Sequence, residues 1–234
     1  MEFPDTRWTL IAHLGDEQKV GAALDQLCAV YWQPIYAYLV QTGYDRGQAQ
    51  DLTQDFLGMV VRQQLLARAN PAEGRLRSWL LSALYHFMAN VRRHESRQKR
   101  GAGERPLPLD HEDVAVELDK LASESATPDE AFDRAWVSAL LRGVLDGLRA
   151  QYRQAGREEE FTALLPSLLE GGDVPQIEAA SKSGMTVANF RVRLHRLRGR
   201  YKEALWQAVT STLEREEEYQ DELAYLFRIM GRKG

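Results

Sequence analysis

Apolar residues return at Val187, Phe190, Leu194, Leu197 and Tyr201, at spacings of three and four, the period of a helix with one buried face. Almost every long segment of the chain carries this helical period, and none alternates residue by residue as a half-buried strand would. The pattern predicts helices at about 17–32, 34–42, 45–66, 75–98, 129–153, 158–170, 174–182, 186–209 and 212–230. Breakers separate them: Pro34, Gly43, NPAEG at 70–74, GAGERPLP at 101–108, Thr127-Pro128 and Gly171-Gly172. The expected fold class is all-α: two small helical domains joined by an acidic flexible linker, the second containing a helix-turn-helix. The expected divisions are 1–100, a linker at 101–127, 128–209 and a C-terminal helical extension at 210–234.

Charge adds what periodicity cannot. The 234-residue chain has a formal net charge of −4, yet from Thr186 to Lys202 it carries Arg191, Arg193, Arg196, Arg198, Arg200 and Lys202 and no carboxylate. At about 100° per residue, Asn189, Arg193, Arg196 and Arg200 form one row beside the apolar face, and Arg191, Arg198 and Lys202 form another. Between the rows, opposite the apolar face, stand Ala188, Val192, His195 and Gly199. Little bulk in the middle and guanidinium groups on both sides suit a helix pushed into a major groove. The preceding segment fits a helix-turn-helix: Asp173 can cap, Pro175 suits a first turn, Ala179 and Ala180 permit close approach, and Gly184 can turn the chain. Its first helix offers little to bury beyond Ile177 and these alanines, so the second domain is expected to be marginally stable alone. The bland alternative is a solvated basic helix on some all-α protein.

Two further blocks matter. Arg75–Arg105 has a net charge of +6, and Pro106–Ala135 a net charge of −7. The first contains a helix whose apolar face is Leu76, Trp79, Leu80, Ala83, Leu84, Phe87 and Val91, with Ser78, Tyr85, Ala89 and Arg92 on the opposite side and a basic end. An aromatic ring among cations suits an unstacked base, although Tyr85 also reads as an ordinary surface tyrosine. The preceding helix, 48–66, turns Leu52, Phe56, Met59 and Val60 inward and carries Gln48, Asp51 and Asp55 along one edge. Those carboxylates lack a facing cluster for a metal, and a docking edge for a basic protein partner is the better reading.

Cys28 is the only cysteine, which excludes an internal disulfide and a cysteine-rich zinc site, and it reads as an inert core thiol. No P-loop, H-E-x-x-H, G-x-S-x-G or Gly-rich dinucleotide motif is present, so a non-enzyme without metal or cofactor is expected. No run of 18 apolar residues exists and MEFPDTRWTL lacks a signal-peptide pattern, so no membrane insertion and a cytoplasmic location are expected.

The order of these pieces resembles a bacterial extracytoplasmic-function (ECF) sigma factor, the promoter-recognition subunit of RNA polymerase. The resemblance rests on YWQPIYAYLVQTGYDRGQAQDLTQDFL (31–57), GRLRSWLLSALYHFMANVRRHESRQKRGAG (74–103) and GMTVANFRVRLHRLRGRYKEAL (184–205), with FPDTRWTLIAHL and DELAYLF similar to the variety abundant in planctomycete-type bacteria. It implies that Asp51, Gln54 and Asp55 grip the core polymerase. It implies that Tyr85, His86, Asn90, Arg92, Arg93 and Arg97 contact the −10 element, and that Thr186, Asn189, Arg191, Arg193 and Arg196 contact the −35 element. Many family members carry Asn where this chain has His86 and Asp where it has Asn90, which leaves the −10 preference open. The implied partners are bacterial core RNA polymerase and promoter DNA, with an anti-sigma factor or other regulator as a further candidate. A self-sufficient helix-turn-helix regulator with an N-terminal sensing or dimerisation domain is the competing reading. Residues 210–234 extend past the family's core domains; Leu213, Leu223, Leu226, Phe227 and Met230 are expected to pack as an amphipathic, regulatory or stabilising helix.

Overall fold

A computed structural model describes residues 20–62, 76–98, 125, 127–169, 176–210, 212–213 and 218–231, without the side chains of 20–26, 95–98 and 176. These residues are all-helical, with no strand among them. The helices are α1 (Val20–Gln41), α2 (Arg46–Arg62), α3 (Leu76–Gln98), α4 (Pro128–Gln154), α5 (Glu158–Leu169), α6 (Gln176–Lys182), α7 (Val187–Thr210) and α8 (Tyr219–Gly231). The expected break at Pro34 is absent: α1 runs through it. Proline removes one backbone hydrogen bond and costs a helix interior about 3 kcal/mol. Here the surrounding turns bury Tyr31, Ile35, Tyr36, Tyr38 and Leu39, and that burial outweighs the break.

Helix ends follow local chemistry. Gly43, at φ +103°, closes α1, with Tyr44 N–H donating to the Leu39 carbonyl. Asp45 Oδ1 accepts from Gln48 N–H at 2.9 Å and Gln48 Oε1 accepts from Asp45 N–H at 3.2 Å, a reciprocal cap for α2. Gln48, read above as part of an acidic edge, thus has a local structural task. Thr127 caps α4, with Pro128 in its first turn.

The described residues divide into two compact units. Those of Pro4–Ala139 and Thr210–Gly234 form one; those of Leu140–Val209 form the other. The boundary lies within α4, so Pro128–Ala139 and the C-terminal extension group with α1–α3, whereas the sequence reading placed 128–139 with the basic helix and set 210–234 apart. The linker 101–127 lies outside the described residues except Ser125 and Thr127.

Within the first unit, the early turns of α4 are joined to α3 and α8. Arg77 is buried, its guanidinium 4.8 Å from the centroids of both the Trp136 and Tyr225 rings. It forms a two-pronged ion pair with the fully buried Glu222 carboxylate, and Asp133 lies 3.9 Å from its Nε. Tyr225 donates to Asp133, and Arg134 Nε donates to the Ile229 carbonyl at 3.3 Å. The inward face of α8 is Glu222, Leu226 and Ile229; Phe227 is 67% exposed and Met230 43%, contrary to the expected stripe. The pattern of apolar residues misled because a buried charge, Glu222, occupies the register of an apolar residue.

In the second unit, Phe190, Leu194 and Leu197 of α7 pack with Val144, Leu148 and Tyr152 of α4 and with Phe161 and Leu164 of α5 in one core. Val187 and Tyr201 lie against it. Ala180 is fully buried there, but Ile177 is 69% exposed, so α6 is anchored by its small residues and not by Ile177.

Candidate nucleic-acid interface

A tight turn joins α6 to α7. Gly184 adopts φ +64°, a left-handed conformation that a side chain would strain. Met185 N–H donates to the Ala180 carbonyl and Gly184 N–H to that of Ser181, satisfying the last carbonyls of α6. Thr186 then caps α7, its Oγ1 accepting from Asn189 N–H at 3.3 Å. With three large residues of α7 locked in the core, the remaining faces are displayed. Ala188, Val192, His195 and Gly199 are exposed between the two cationic rows.

The cations do not all point outward alike. Arg191, Arg196 and Lys202 are exposed. Arg198 donates to the Ser167 carbonyl at 3.2 Å, and Arg200 lies over the Tyr152 ring at 5.5 Å. Arg193 pairs with Glu160 while its Nε donates to Asn189 Oδ1 at 2.9 Å. Glu160, in the first turn of α5, also receives Arg157 at 2.6 Å and 3.1 Å. Burial pushes the Glu160 carboxyl up, but Arg157 and Arg193 together hold it below its ordinary value. Sequence reasoning missed Glu160 because 33 residues separate it from Arg193, and no spacing rule links them.

On α3, Ser78, Ser82, Tyr85, His86, Asn90, Arg92 and Arg93 are exposed. His86 Nδ1–H donates to the Ser82 carbonyl at 2.8 Å, since a carbonyl can only accept, and Nε2 is the nitrogen left to the surface. Arg93 Nη2 donates to Asn90 Oδ1 at 2.5 Å. Tyr85 is held on two sides. Its ring meets Tyr38 edge-on at 5.7 Å, and its hydroxyl donates to the carboxylate of Asp129, at the start of α4. Burial and that carboxylate raise the phenol above its ordinary pKa. A groove of about 450 Å³ follows this face, lined by Ser78, Ser82, Tyr85, Asp133 and Tyr225 among others. Val91 is half-buried as expected, and Met88, absent from the expected apolar face, is buried. The Arg97 side chain lies outside the described residues.

No protein-family model, no curated protein and no solved structure matches this chain.

The third candidate surface lies on α2. Gln54 and Asp55 are exposed and Asp51 is half-buried, so two carboxylates and an amide share one accessible edge of α2. Thr53 between them is buried and donates to the Ala49 carbonyl at 2.7 Å, so it belongs to the core. No group of three or more His, Cys, Asp or Glu that could hold a metal ion occurs among the described residues. No described helix is long and apolar enough to cross a membrane.

Proposed function

We propose that this chain is an RNA polymerase sigma factor of the ECF type, a cytoplasmic protein that binds bacterial core polymerase and directs promoter recognition, melting and transcription initiation. The observation that carries the proposal is α7. Its core face is fixed, it follows a tight turn, and it displays a strip of Ala188, Val192, His195 and Gly199 flanked by cations, with no carboxylate in the sequence from Thr186 to Lys202. On this reading α7, following α6 as a helix-turn-helix, enters the major groove of the −35 element. Arg191 and Arg196 contact base edges or phosphates, and Thr186 stands at the N-terminal end of the helix, where it meets the duplex.

The α3 helix is assigned to the −10 element. There Tyr85 and His86 face unstacked bases, with Asn90, Arg92, Arg93 and Arg97 along the strand backbone. The Asp51, Gln54 and Asp55 edge is assigned to core polymerase, where charge complementarity to a basic surface sets orientation and on-rate. The chain brings binding surfaces and no chemistry of its own; phosphoryl transfer belongs to the polymerase.

Reconstitution tests this. The full chain mixed with bacterial core RNA polymerase is expected to co-elute on size exclusion, and reversing the charges of Asp51 and Asp55 is expected to abolish the complex. Failure to co-elute, with salt-sensitive binding of the chain alone to duplex DNA, would instead favour the self-sufficient regulator.

A further inference from the structure

Resting on the assignment of α7 to duplex DNA, we infer that Glu160 sets the base preference of Asn189 through Arg193. The three residues form a chain of contacts within the second unit. The Glu160 carboxylate, 8% exposed, pairs with Arg157 and Arg193; Arg193 Nε donates to Asn189 Oδ1 at 2.9 Å. A guanidinium only donates, so the atom it meets on the Asn189 amide must be the oxygen. The flip state of that amide is thereby fixed by chemistry.

The consequence is a change in what Asn189 can read. An asparagine that selects adenine does so with two bonds, its oxygen accepting from N6 and its amide nitrogen donating to N7. Arg193 takes one of the two lone pairs of Oδ1 and fixes which way the amide faces, so Asn189 keeps both N–H bonds of Nδ2 but only a weakened acceptor. A side chain whose donors outweigh its acceptor favours an acceptor edge, O6 and N7 of guanine or O4 of thymine, over the mixed edge of adenine. Arg193 is itself held from behind by a carboxylate that Arg157 also fixes, so the guanidinium is not at liberty to swing away. Arg193 thus becomes a positioning residue on this reading, and the base-edge contact belongs to Asn189. Glu160 never approaches the duplex.

The test selects duplex oligonucleotides carrying a randomised central segment with the full chain. The position read by Asn189 is the one whose preference disappears in Asn189→Ala. Guanine or thymine is expected there in the wild type, with about 5- to 150-fold discrimination over adenine, the range for one good base contact. Glu160→Gln keeps the volume and removes the charge that holds both Arg157 and Arg193. Arg193→Met removes the donor and leaves Glu160 paired with Arg157. Both are expected to keep the helical circular dichroism spectrum and to broaden that one position or shift it toward adenine, while the other positions of the selected site hold. Adenine in the wild type, or an unchanged preference in both variants, would overturn the relay. The assignment of α7 to DNA is checked separately: if Arg191→Ala and Arg196→Ala leave duplex affinity unaltered, that assignment fails and the relay fails with it. If they weaken binding while the Asn189 position is indifferent to Glu160 and Arg193, the relay alone is wrong.

Discussion

Replacing Glu222 with Leu should destabilise the first unit more than any truncation of an exposed residue of α8. The substitution keeps approximate volume but leaves the Arg77 guanidinium buried between the Trp136 and Tyr225 rings without its two-pronged partner. Removing one member of a buried ion pair costs about 3–5 kcal/mol, because the remaining charge is desolvated and uncompensated. Asp133, 3.9 Å from Arg77 Nε, supplies some compensation, which places the expectation at the lower end, about 3 kcal/mol. The double variant Arg77→Met/Glu222→Leu removes both charges and should return to within about 1 kcal/mol of wild type, since apolar replacement of a buried pair is often neutral or stabilising. Guanidinium unfolding followed by tryptophan fluorescence measures this. Trp136 packs on Arg77, and a Trp206→Phe background removes the one tryptophan of the other unit. A loss below about 1 kcal/mol in the single variant, or a double variant as unstable as the sum of the singles, would refute the argument that a buried charge pair holds α8 in place.

Other outcomes follow from the same geometry. Asp129→Ala should raise affinity for single-stranded oligonucleotides several-fold, because it frees the Tyr85 hydroxyl and removes a carboxylate from the face proposed to bind nucleic acid; Asp129→Ala in a Tyr85→Ala background should then show less gain, and equal gains in fluorescence-anisotropy titrations would point to general charge instead. Arg191→Ala and Arg196→Ala should each lower the slope of log affinity for duplex DNA against log salt by roughly 0.9 if the side chain meets phosphate, and leave the slope while relaxing one base position if it meets a base edge. Glu160 titrates below its ordinary 4.5 in the folded chain, so it contributes stability above that value that is lost as pH falls through the folded pKa; thermal melts from pH 6 to pH 3 should show this acid loss in wild type and less of it in Glu160→Gln. Asp133 has the opposite sign. Burial raises it, so its contribution favours the fold as pH falls toward the ordinary carboxylate range, and Asp133→Asn should flatten that component.

The sequence by itself determined the helices, their approximate ends and the inner face of α7. These depend on local information: a period of 3.6, caps such as Thr127 and Thr186, and Gly184 at a turn that needs positive φ. The concentration of cations on α3 and α7 was legible for the same reason, since helical geometry alone puts those residues in rows. What only the tertiary structure decided was which polar residues pair across distant segments. Arg77 and Glu222 are 145 residues apart, Glu160 and Arg193 are 33 apart, and Asp129 and Tyr85 are 44 apart. A charged residue in a sequence looks the same whether it faces water or a buried partner, so periodicity gave no sign that Arg77 and Glu222 are buried, and it placed Phe227 in the packing stripe. Grouping of α8 and the first turns of α4 with α1–α3 has the same origin: it depends on pairings between distant segments, and the free energy of those pairings is invisible until the chain brings them together.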